Sequence, residues 1–293
     1  MKKTLLIILV LLLASGFAIS VNADQKVNAD AKNGKAQTAS EQNTDKLTVD
    51  NRIAYPEGYD TETSGSSAYK NMGDHEDSKY FTHLDYFHMK SDENLTIIEA
   101  FRTYQQTTEW SCGPASALMV LNHYGVAEWD ELKIAEIMEA HKDLDGDNTV
   151  EPGVANERGE WGTSTDRMVK FFAHIGWDVQ SSLTEGKLEG GYTFDDPTKF
   201  RDWVIKNLKS NTPIMIEDID WGGHWKVLIG YDTMGTEHFG DDVIIFADAY
   251  DTSDHKQEGY FIVPAERFFY MWFDGHILPE TQSKQQWLIA KPQ

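Results

Sequence analysis

In the first half of the globular part of the chain, apolar residues recur every three or four positions, as in helices that pack against a core. The run from Ala115 to Leu121 follows a glycine and a proline and ends near Gly125. Proline suits the first turn of a helix and glycine the position after its end, so a helix is predicted to begin at Cys112.

Three more helices are predicted from the same spacing. They cover Trp129–His141, a segment capped within 163–166 that ends before Gly176, and Asp202–Leu208. In the second helix, the pattern assigns Leu132, Ala135 and Met138 to an apolar face, and Glu131, Glu136 and Glu139 to a polar face.

The second half of the chain changes to short runs of β-branched and aromatic residues. These runs lie at 213–216, 225–231, 243–246, 260–263 and 287–290, and 95–98 and 101–104 are also typical of extended segments. Because helices precede strands instead of alternating with them, the order predicts an α+β fold with a largely antiparallel sheet.

The N-terminus has the pattern of an export signal. Lys2 and Lys3 precede an apolar stretch that is short for a membrane span, and Val21-Asn22-Ala23 offers small residues for cleavage before Asp24. We therefore expect a signal peptide over residues 1–23, cleavage near Ala23 and a secreted, extracytoplasmic protein without stable membrane insertion after cleavage. An uncleaved anchor is the alternative.

Composition divides the rest of the chain into three parts. Residues 24–50 have few large apolar side chains and are predicted to be a disordered spacer, since they cannot bury enough surface to offset their ordering entropy. Residues 51–94 mix aromatic residues with Gly, Ser and Asp, and are interpreted as an irregular extension packed on the domain surface. Residues 95–293 are long enough for one domain with a sizeable core.

The chain is strongly acidic. Its formal net charge is −22, and removing residues 1–23, which contain two lysines and no acidic residue, gives −24. Such a charge disfavours nucleic acid and anionic membranes as partners, because both would be repelled. It is compatible with a soluble secreted protein.

The chain has a single cysteine, Cys112. It cannot form an internal disulfide, so its thiol is either a buried core group or a reactive one. At the N-terminus of the predicted helix, unpaired backbone N–H groups and the helix dipole favour the thiolate. Cys112 is therefore a candidate nucleophile, with a structural core cysteine as the alternative.

A cysteine nucleophile needs a base and a group that orients the base. Among ten histidines, His224 follows two glycines and begins an apolar strand, a position suited to a cleft, although a surface-loop histidine is the alternative. Asp248 ends the next apolar strand and could accept a hydrogen bond from an imidazole. Asp251 and Asp254 are nearby alternatives, and a strand-end acid facing water is another.

A glutamine upstream of the cysteine could stabilise an oxyanion. Gln106 lies six positions before Cys112, and its amide could act together with the Cys112 backbone N–H. Gln105 is an adjacent alternative, and a solvated glutamine is the other interpretation. The residues alone do not choose among them.

These motifs resemble those of a known family. The run Gln106–Ser116, continued by 121–125, resembles the nucleophile region of C39-like cysteine peptidases in the papain-like clan. The resemblance continues through Gly162-Thr163-Ser164, 223–227 and Phe246-Ala247-Asp248, and spans about residues 95–290. It implies a papain-like α+β fold, in which an N-terminal helical part with the nucleophile helix packs on a mainly antiparallel sheet.

The resemblance also implies roles for the candidate residues. Cys112 would be the nucleophile, His224 the general base and acid, Asp248 the orienting acid and Gln106 the oxyanion donor of a secreted peptidase that hydrolyses a peptide or protein substrate. Bacteriocin-processing members usually carry Asp before the cysteine, where this chain has Ser111, and are fused to a transporter, whereas no transmembrane domain is expected here. These departures disfavour double-glycine leader cleavage and leave thiol acyl transfer intact.

Two other functions fit the same residues. Cys112-Gly113-Pro114-Ala115 and Val120-Leu121-Asn122 are similar to phytochelatin synthase, which would make the protein an amidase or transpeptidase, and a non-catalytic binding module could use the same fold. No cofactor or metal is expected. The acidic insertion 143–161 fails the EF-hand pattern at Asn148 and Val154, and no Cys/His cluster suggests zinc.

Overall fold

The computed structural model describes residues 51–57, 79–80, 82, 84–108, 110–140, 162–184, 188, 191–219, 223–251, 258–274 and 283–293. All of them belong to one compact unit, Gln42–Gln293. The predicted signal peptide 1–23, the spacer 24–50 and the acidic insertion 143–161 lie outside the described residues. Within the described part of the chain, every helix is too short or too polar to span a membrane.

The described residues form five α-helices and seven strands. The helices are α1 (Cys112–His123), α2 (Glu131–Met138), α3 (Thr165–His174), α4 (Pro197–Lys209) and α5 (Ala265–Met271). The strands are β1 (Leu95–Ile97), β2 (Asp178–Ser181), β3 (Ile214–Asp218), β4 (His224–Asp232), β5 (Val243–Ala247), β6 (Tyr260–Pro264) and β7 (Gln286–Lys291).

The strands form one sheet with the order β2-β7-β3-β4-β5-β6, and β1 also pairs with β4. All these pairings are antiparallel. The long central strand β4 pairs with β3 through residues 224–228 and with β1 through residues 230–232. The predicted α+β class, with the nucleophile helix packed on a mainly antiparallel sheet, is confirmed.

Helices cover both faces of the sheet. The indole of Trp225 on β4 donates to the Thr163 carbonyl, just before α3, so one face of the sheet meets the layer that contains α3. The other face carries Trp287 of β7, which packs against Trp203 of α4. Both sheet tryptophans are almost fully buried, so the core extends to both sides of the central strands.

Four helices form where the pattern predicted them, with different bounds. The first begins at Cys112 as predicted and is buried from that residue to Leu121. The second ends at Met138, three residues early, because Glu139 turns into the left-handed region at φ 53° and closes the helix. The fourth begins earlier than predicted, at Pro197, because the Asp196 side chain caps its N-terminus.

Two elements were not predicted. β2 is an edge strand of four residues in a polar segment, so it has no run of apolar side chains to reveal it. α5 has only seven residues and follows directly on β6, so its apolar residues extend the pattern of the strand before it.

Part of the N-terminal extension, residues 51–94, runs beside the segment that leads to Cys112. The N–H of Ile53 donates to the Thr103 carbonyl at 2.7 Å, and the N–H of Thr103 donates to the Asn51 carbonyl at 2.9 Å. The Tyr55 hydroxyl donates to the Gln105 carbonyl at 3.0 Å. These bonds hold residues 51–55 against the domain.

Candidate active site

Cys112 is the first residue of α1. It is 7% exposed, and Ser111 before it occupies the N-cap position without using its side chain to cap the helix. Cys112 therefore lies at the end of α1 where the first-turn N–H groups have no partner within the helix. Cys112 is a free cysteine, as the sequence predicted.

Gly113 allows this helix to approach the rest of the site closely. A Cβ on Gly113 would lie 2.2 Å from the Thr163 side chain and 3.3 Å from the indole of Trp225. Any larger residue would push the N-terminus of α1 away from β4. The glycine after the cysteine therefore has a packing reason to be there.

His224 and Asp248 meet at the ends of neighbouring strands. His224 is the first residue of β4, and Asp248 directly follows β5. The Nε2 atom of His224 lies 2.6 Å from Oδ1 of Asp248, and both side chains are buried. The N–H of Tyr250 also donates to Oδ1 of Asp248 at 2.8 Å, so the carboxylate is held from two sides.

The Cys112 side chain is hydrogen-bonded to the same imidazole. Because Nε2 faces Asp248, Nδ1 is the ring nitrogen that remains for the thiol. The structure thus brings Cys112, His224 and Asp248 together in that order, although they are far apart in the sequence. The alternative acid Asp251 is instead bonded to the N–H of Gly259 at 3.2 Å, and Asp254 lies outside the described residues.

His224 and Asp248 each stabilise the charged form of the other. Burial by itself lowers the pKa of His224, but the charge of Asp248 and the hydrogen bonds with Asp248 and Cys112 outweigh it and raise the pKa to about 10. Burial raises the pKa of Asp248, but the charge of His224, their hydrogen bond and the charge of Lys226 lower it below its usual value. At neutral pH, His224 and Asp248 therefore form a buried imidazolium–carboxylate pair.

Gln106 is buried in the loop before Cys112. Its Nε2 donates to the Thr108 carbonyl at 2.7 Å, and its backbone N–H donates to the Ala249 carbonyl at 3.0 Å. The second bond ties the loop to the residue after Asp248. The side chain of Gln105 accepts a hydrogen bond from Arg52 through its Oε1 at 3.3 Å.

Glu131 was assigned to a polar helix face, and that prediction was wrong. Its carboxylate is fully buried and accepts hydrogen bonds from Tyr104, Thr107 and Ser111, all in the segment around Gln106. The local sequence favours an acidic residue at this position without showing that its side chain is buried. Asp130 caps α2, so Glu131 lies in the first helical turn, where the helix dipole favours a negative charge.

A second pair of acids next to the site was also missed. Glu217, the last residue but one of β3, is 2% exposed. Its carboxylate and that of Asp274 lie next to Gly223, the residue before His224. Burial, followed by the charge and hydrogen bond of Asp274, raises the pKa of Glu217 well above its usual value. The charge of Cys112 adds to this effect, so Glu217 is electrostatically linked to the thiol.

The neighbouring acid of β3 is paired with a lysine. Nζ of the buried Lys226 lies 3.0 Å from Oδ2 of Asp218, and it also stands over the rings of Phe246 and Phe261.

Among the described residues, no group of three or more His, Cys, Asp or Glu side chains is arranged to hold a metal ion.

Comparisons with known proteins connect this geometry to a family. The model of the Peptidase_C39 like family matches residues 98–272, which include Cys112, His224 and Asp248. Among solved structures, the peptidase domain of Streptococcus ComA, a bi-functional ABC transporter involved in a quorum sensing pathway, is 15% identical with a TM-score of 0.35. That match covers 66% of this chain and 99% of the ComA domain. The search of curated proteins found no match.

The family match covers more than half of the chain and includes Cys112, His224 and Asp248. It supports a peptidase-like hydrolase, and it agrees with the family that the cysteine, histidine and aspartate motifs resemble. The chain belongs to the Peptidase_C39 like family.

Proposed function

We propose that this protein is a cysteine peptidase that hydrolyses peptide bonds by acyl transfer through Cys112. The observation that carries the proposal is the buried series of contacts from the Cys112 thiol through the His224 imidazole to the Asp248 carboxylate. This is the arrangement of a nucleophile, a base and an orienting acid.

In the first step, the Cys112 sulfur attacks the carbonyl carbon of the scissile peptide bond. The proton of the thiol is held by His224, whose charged form is stabilised by Asp248. As the C–N bond breaks, His224 transfers that proton to the leaving amine, and the acyl group remains on sulfur as a thioester.

In the second step, water resolves the thioester. Neutral His224 accepts a proton from the water while its oxygen attacks the acyl carbon, and the C–S bond breaks. The carboxylic acid leaves, and Cys112 returns as the thiolate beside protonated His224. Asp248 keeps the same ring orientation through both steps, because its Oδ1 lies 2.6 Å from Nε2.

Both steps pass through an oxyanion. The backbone N–H of Cys112 lies in the first turn of α1, where helical N–H groups have no partner within the helix. The amide of Gln106 is buried in the adjoining loop, where it donates to the Thr108 carbonyl at 2.7 Å. We propose that Gln106 and the Cys112 N–H stabilise the negative oxygen.

The test compares wild-type protein with Cys112→Ala on casein and on a peptide library, with products read by mass spectrometry. We expect cleavage by wild type and none above background by the variant. Ser116→Ala, one turn further along α1 and also buried, is a matched control that should stay active. If wild type cleaves no peptide, or Cys112→Ala keeps its activity, the proposal is wrong.

The same experiment separates the other acyl acceptors. Glutathione and muropeptides are incubated with wild type in parallel. Transfer or amide cleavage on these compounds, without cleavage of casein or the library, would replace the peptidase with an amidase or transpeptidase that uses the same thiol.

We also propose that the protein acts outside the cytoplasm after residues 1–23 are removed. The two lysines, the apolar stretch and Val21-Asn22-Ala23 support this. N-terminal analysis of protein recovered outside the cytoplasm should find Asp24 as the first residue. Protein that keeps Met1 and stays with the membrane would contradict the proposal.

A further inference from the structure

The carboxylate of Glu131 collects four hydrogen bonds from one short segment of chain. The Tyr104 hydroxyl donates at 2.9 Å, the Thr107 N–H at 2.9 Å and the Thr107 hydroxyl at 2.8 Å, and the Ser111 hydroxyl makes the fourth bond. Four donors fill the four acceptor positions of an ionised carboxylate. Glu131 is 0% exposed. Burial raises the pKa of this carboxyl, and the hydrogen bonds from Ser111, Thr107 and Tyr104 oppose that rise without cancelling it.

The positions of the donors connect Glu131 to the oxyanion site. Thr107 directly follows Gln106, and Ser111 directly precedes Cys112. The carboxylate therefore ties together the two ends of the loop that carries both proposed oxyanion donors. A further bond of 2.6 Å from the Thr108 hydroxyl to the Ser111 hydroxyl closes the loop on itself.

Glu131 belongs to a capped helix that is packed into the core. Glu131 is the first residue of α2, whose N-terminus is capped by the side chain of Asp130 through the N–H of Lys133 at 3.0 Å. Neighbouring Ile134, Ala135 and Met138 are fully buried, so the helix cannot shift without disturbing the core. The helix dipole adds to the stabilisation of a negative charge at this end.

We propose that Glu131 is a positioning residue that sets the geometry of the oxyanion site by holding Gln106 and the Cys112 N–H in register. This inference rests on the proposed function. Glu131 does not touch the substrate. It acts through the loop, so its loss affects the step that forms an oxyanion and not the nucleophilicity of the thiol.

The variant Glu131→Gln tests this with little change in volume. An amide has one acceptor oxygen where the carboxylate has two, so two of the four donors meet an NH₂ group. Glu136→Gln is the matched control, because it makes the same change five residues further along α2 at an exposed side chain. Tyr104→Phe is a milder second variant that removes one donor and keeps the ring.

Two rates are measured for each variant. Turnover of a peptide that wild type cleaves passes through an oxyanion, whereas alkylation of Cys112 by iodoacetamide does not. Because Cys112 is the only cysteine, loss of free thiol reports on Cys112 alone. Displacement of a donor by about 1 Å lowers turnover on the order of 100-fold.

For Glu131→Gln we expect kcat to fall roughly 10- to 100-fold, with KM and the alkylation rate within about 3-fold of wild type. Tyr104→Phe should lower kcat by a smaller factor, and Glu136→Gln should not change it. When Glu131→Gln is added to Gln106→Ala, kcat should fall little further, since both remove the same stabilisation.

Three results would overturn the inference. They are unchanged kcat in Glu131→Gln, an equal fall of kcat and alkylation rate, and effects of Glu131→Gln and Gln106→Ala that multiply fully. Failure of the proposed function looks different, because wild type itself would not turn over the peptide, and the inference would fall with it.

Discussion

Replacing Asp248 by Asn removes the charge that keeps His224 protonated and preserves the shape of the side chain. His224 is buried, and its pKa, which burial alone lowers, is raised to about 10 because Nε2 lies 2.6 Å from the carboxylate. Cys112 also raises this pKa, so the variant is studied in a Cys112→Ala background, where burial acts without opposition from either partner. The pKa of His224 should fall to its usual value of about 6.5 or below.

The size of the effect follows from the pKa change. A rise from 6.5 to about 10 corresponds to on the order of 5 kcal/mol, at about 1.36 kcal/mol per pKa unit. Because the folded-state pKa is the higher one, this stability is fully present below the unfolded value of 6.5 and is lost as the pH rises through about 10. Without Asp248, this loss should disappear.

The measurement is the free energy of urea unfolding at intervals from pH 6 to pH 10. It compares Cys112→Ala with Cys112→Ala/Asp248→Asn, because the Cys112→Ala background removes thiol titration and self-cleavage. In this background the smaller contribution of Cys112 to the pKa of His224 is absent, so the expected difference is somewhat reduced. From pH 6 to pH 10, Cys112→Ala should lose roughly 3–5 kcal/mol more of its unfolding free energy than the double variant. All other titrating groups are common to both proteins.

Parallel stability curves, within about 0.5 kcal/mol of each other across that range, would refute the reasoning. They would mean that Asp248 does not hold His224 in its charged form. In the protein with Cys112 present, Asp248→Asn should also lower kcat by about 100- to 10,000-fold, since the imidazole loses the group that orients it.

Two further predictions concern residues that pack around the site. Gly113→Ala should destabilise the protein by about 1–3 kcal/mol, because the new Cβ would lie 2.2 Å from the Thr163 Cγ2 atom, and Thr163→Ser should restore part of the loss in urea unfolding. No rescue would contradict this contact. Glu217→Gln should match wild type near pH 4 and become the more stable protein as the pH rises, because the pKa of Glu217 is raised by burial and by Asp274. If the variant is instead less stable at neutral pH, Glu217 is stabilised as a charged group.

The local sequence indicated the nucleophile helix well. A glycine and a proline after Cys112, an apolar run and a closing glycine are all features of the segment itself, and α1 forms at Cys112–His123. The strands that carry His224 and precede Asp248 were also predicted, because their runs of apolar residues are long enough to stand out.

The same pattern misassigned Glu131. Helical spacing gives only the direction of a side chain around its own helix, and a glutamate next to Asp130 is typical of a solvated first turn. The donors that make burial of Glu131 favourable lie on Tyr104, Thr107 and Ser111, and nothing within α2 reveals them. Glu217 was missed for a similar reason, since its partner Asp274 is far away in the sequence.

The choice between Gln105 and Gln106 also needed the tertiary structure. Adjacent residues of one type are equivalent in any local pattern, and their backbone directions decide between them. Gln105 faces Arg52 of the N-terminal extension, whereas Gln106 is tied by its backbone to Ala249, beside Asp248. The family motif suggests Gln106, and its role as the oxyanion donor stays a prediction.

By itself, the sequence determined the α+β class and the helix that begins at Cys112, because these depend on short-range periodicity. For the nucleophile, the base and the orienting acid it supplied candidates, and the family resemblance chose among them. Only the tertiary structure decided which atoms meet. Nε2 of His224 faces Asp248, the loop of Gln106 is docked on Ala249, and Glu131 holds that loop next to Cys112. Such contacts join residues that are distant in the chain, and their energies depend on burial that arises only when the sheet and both helical layers pack together.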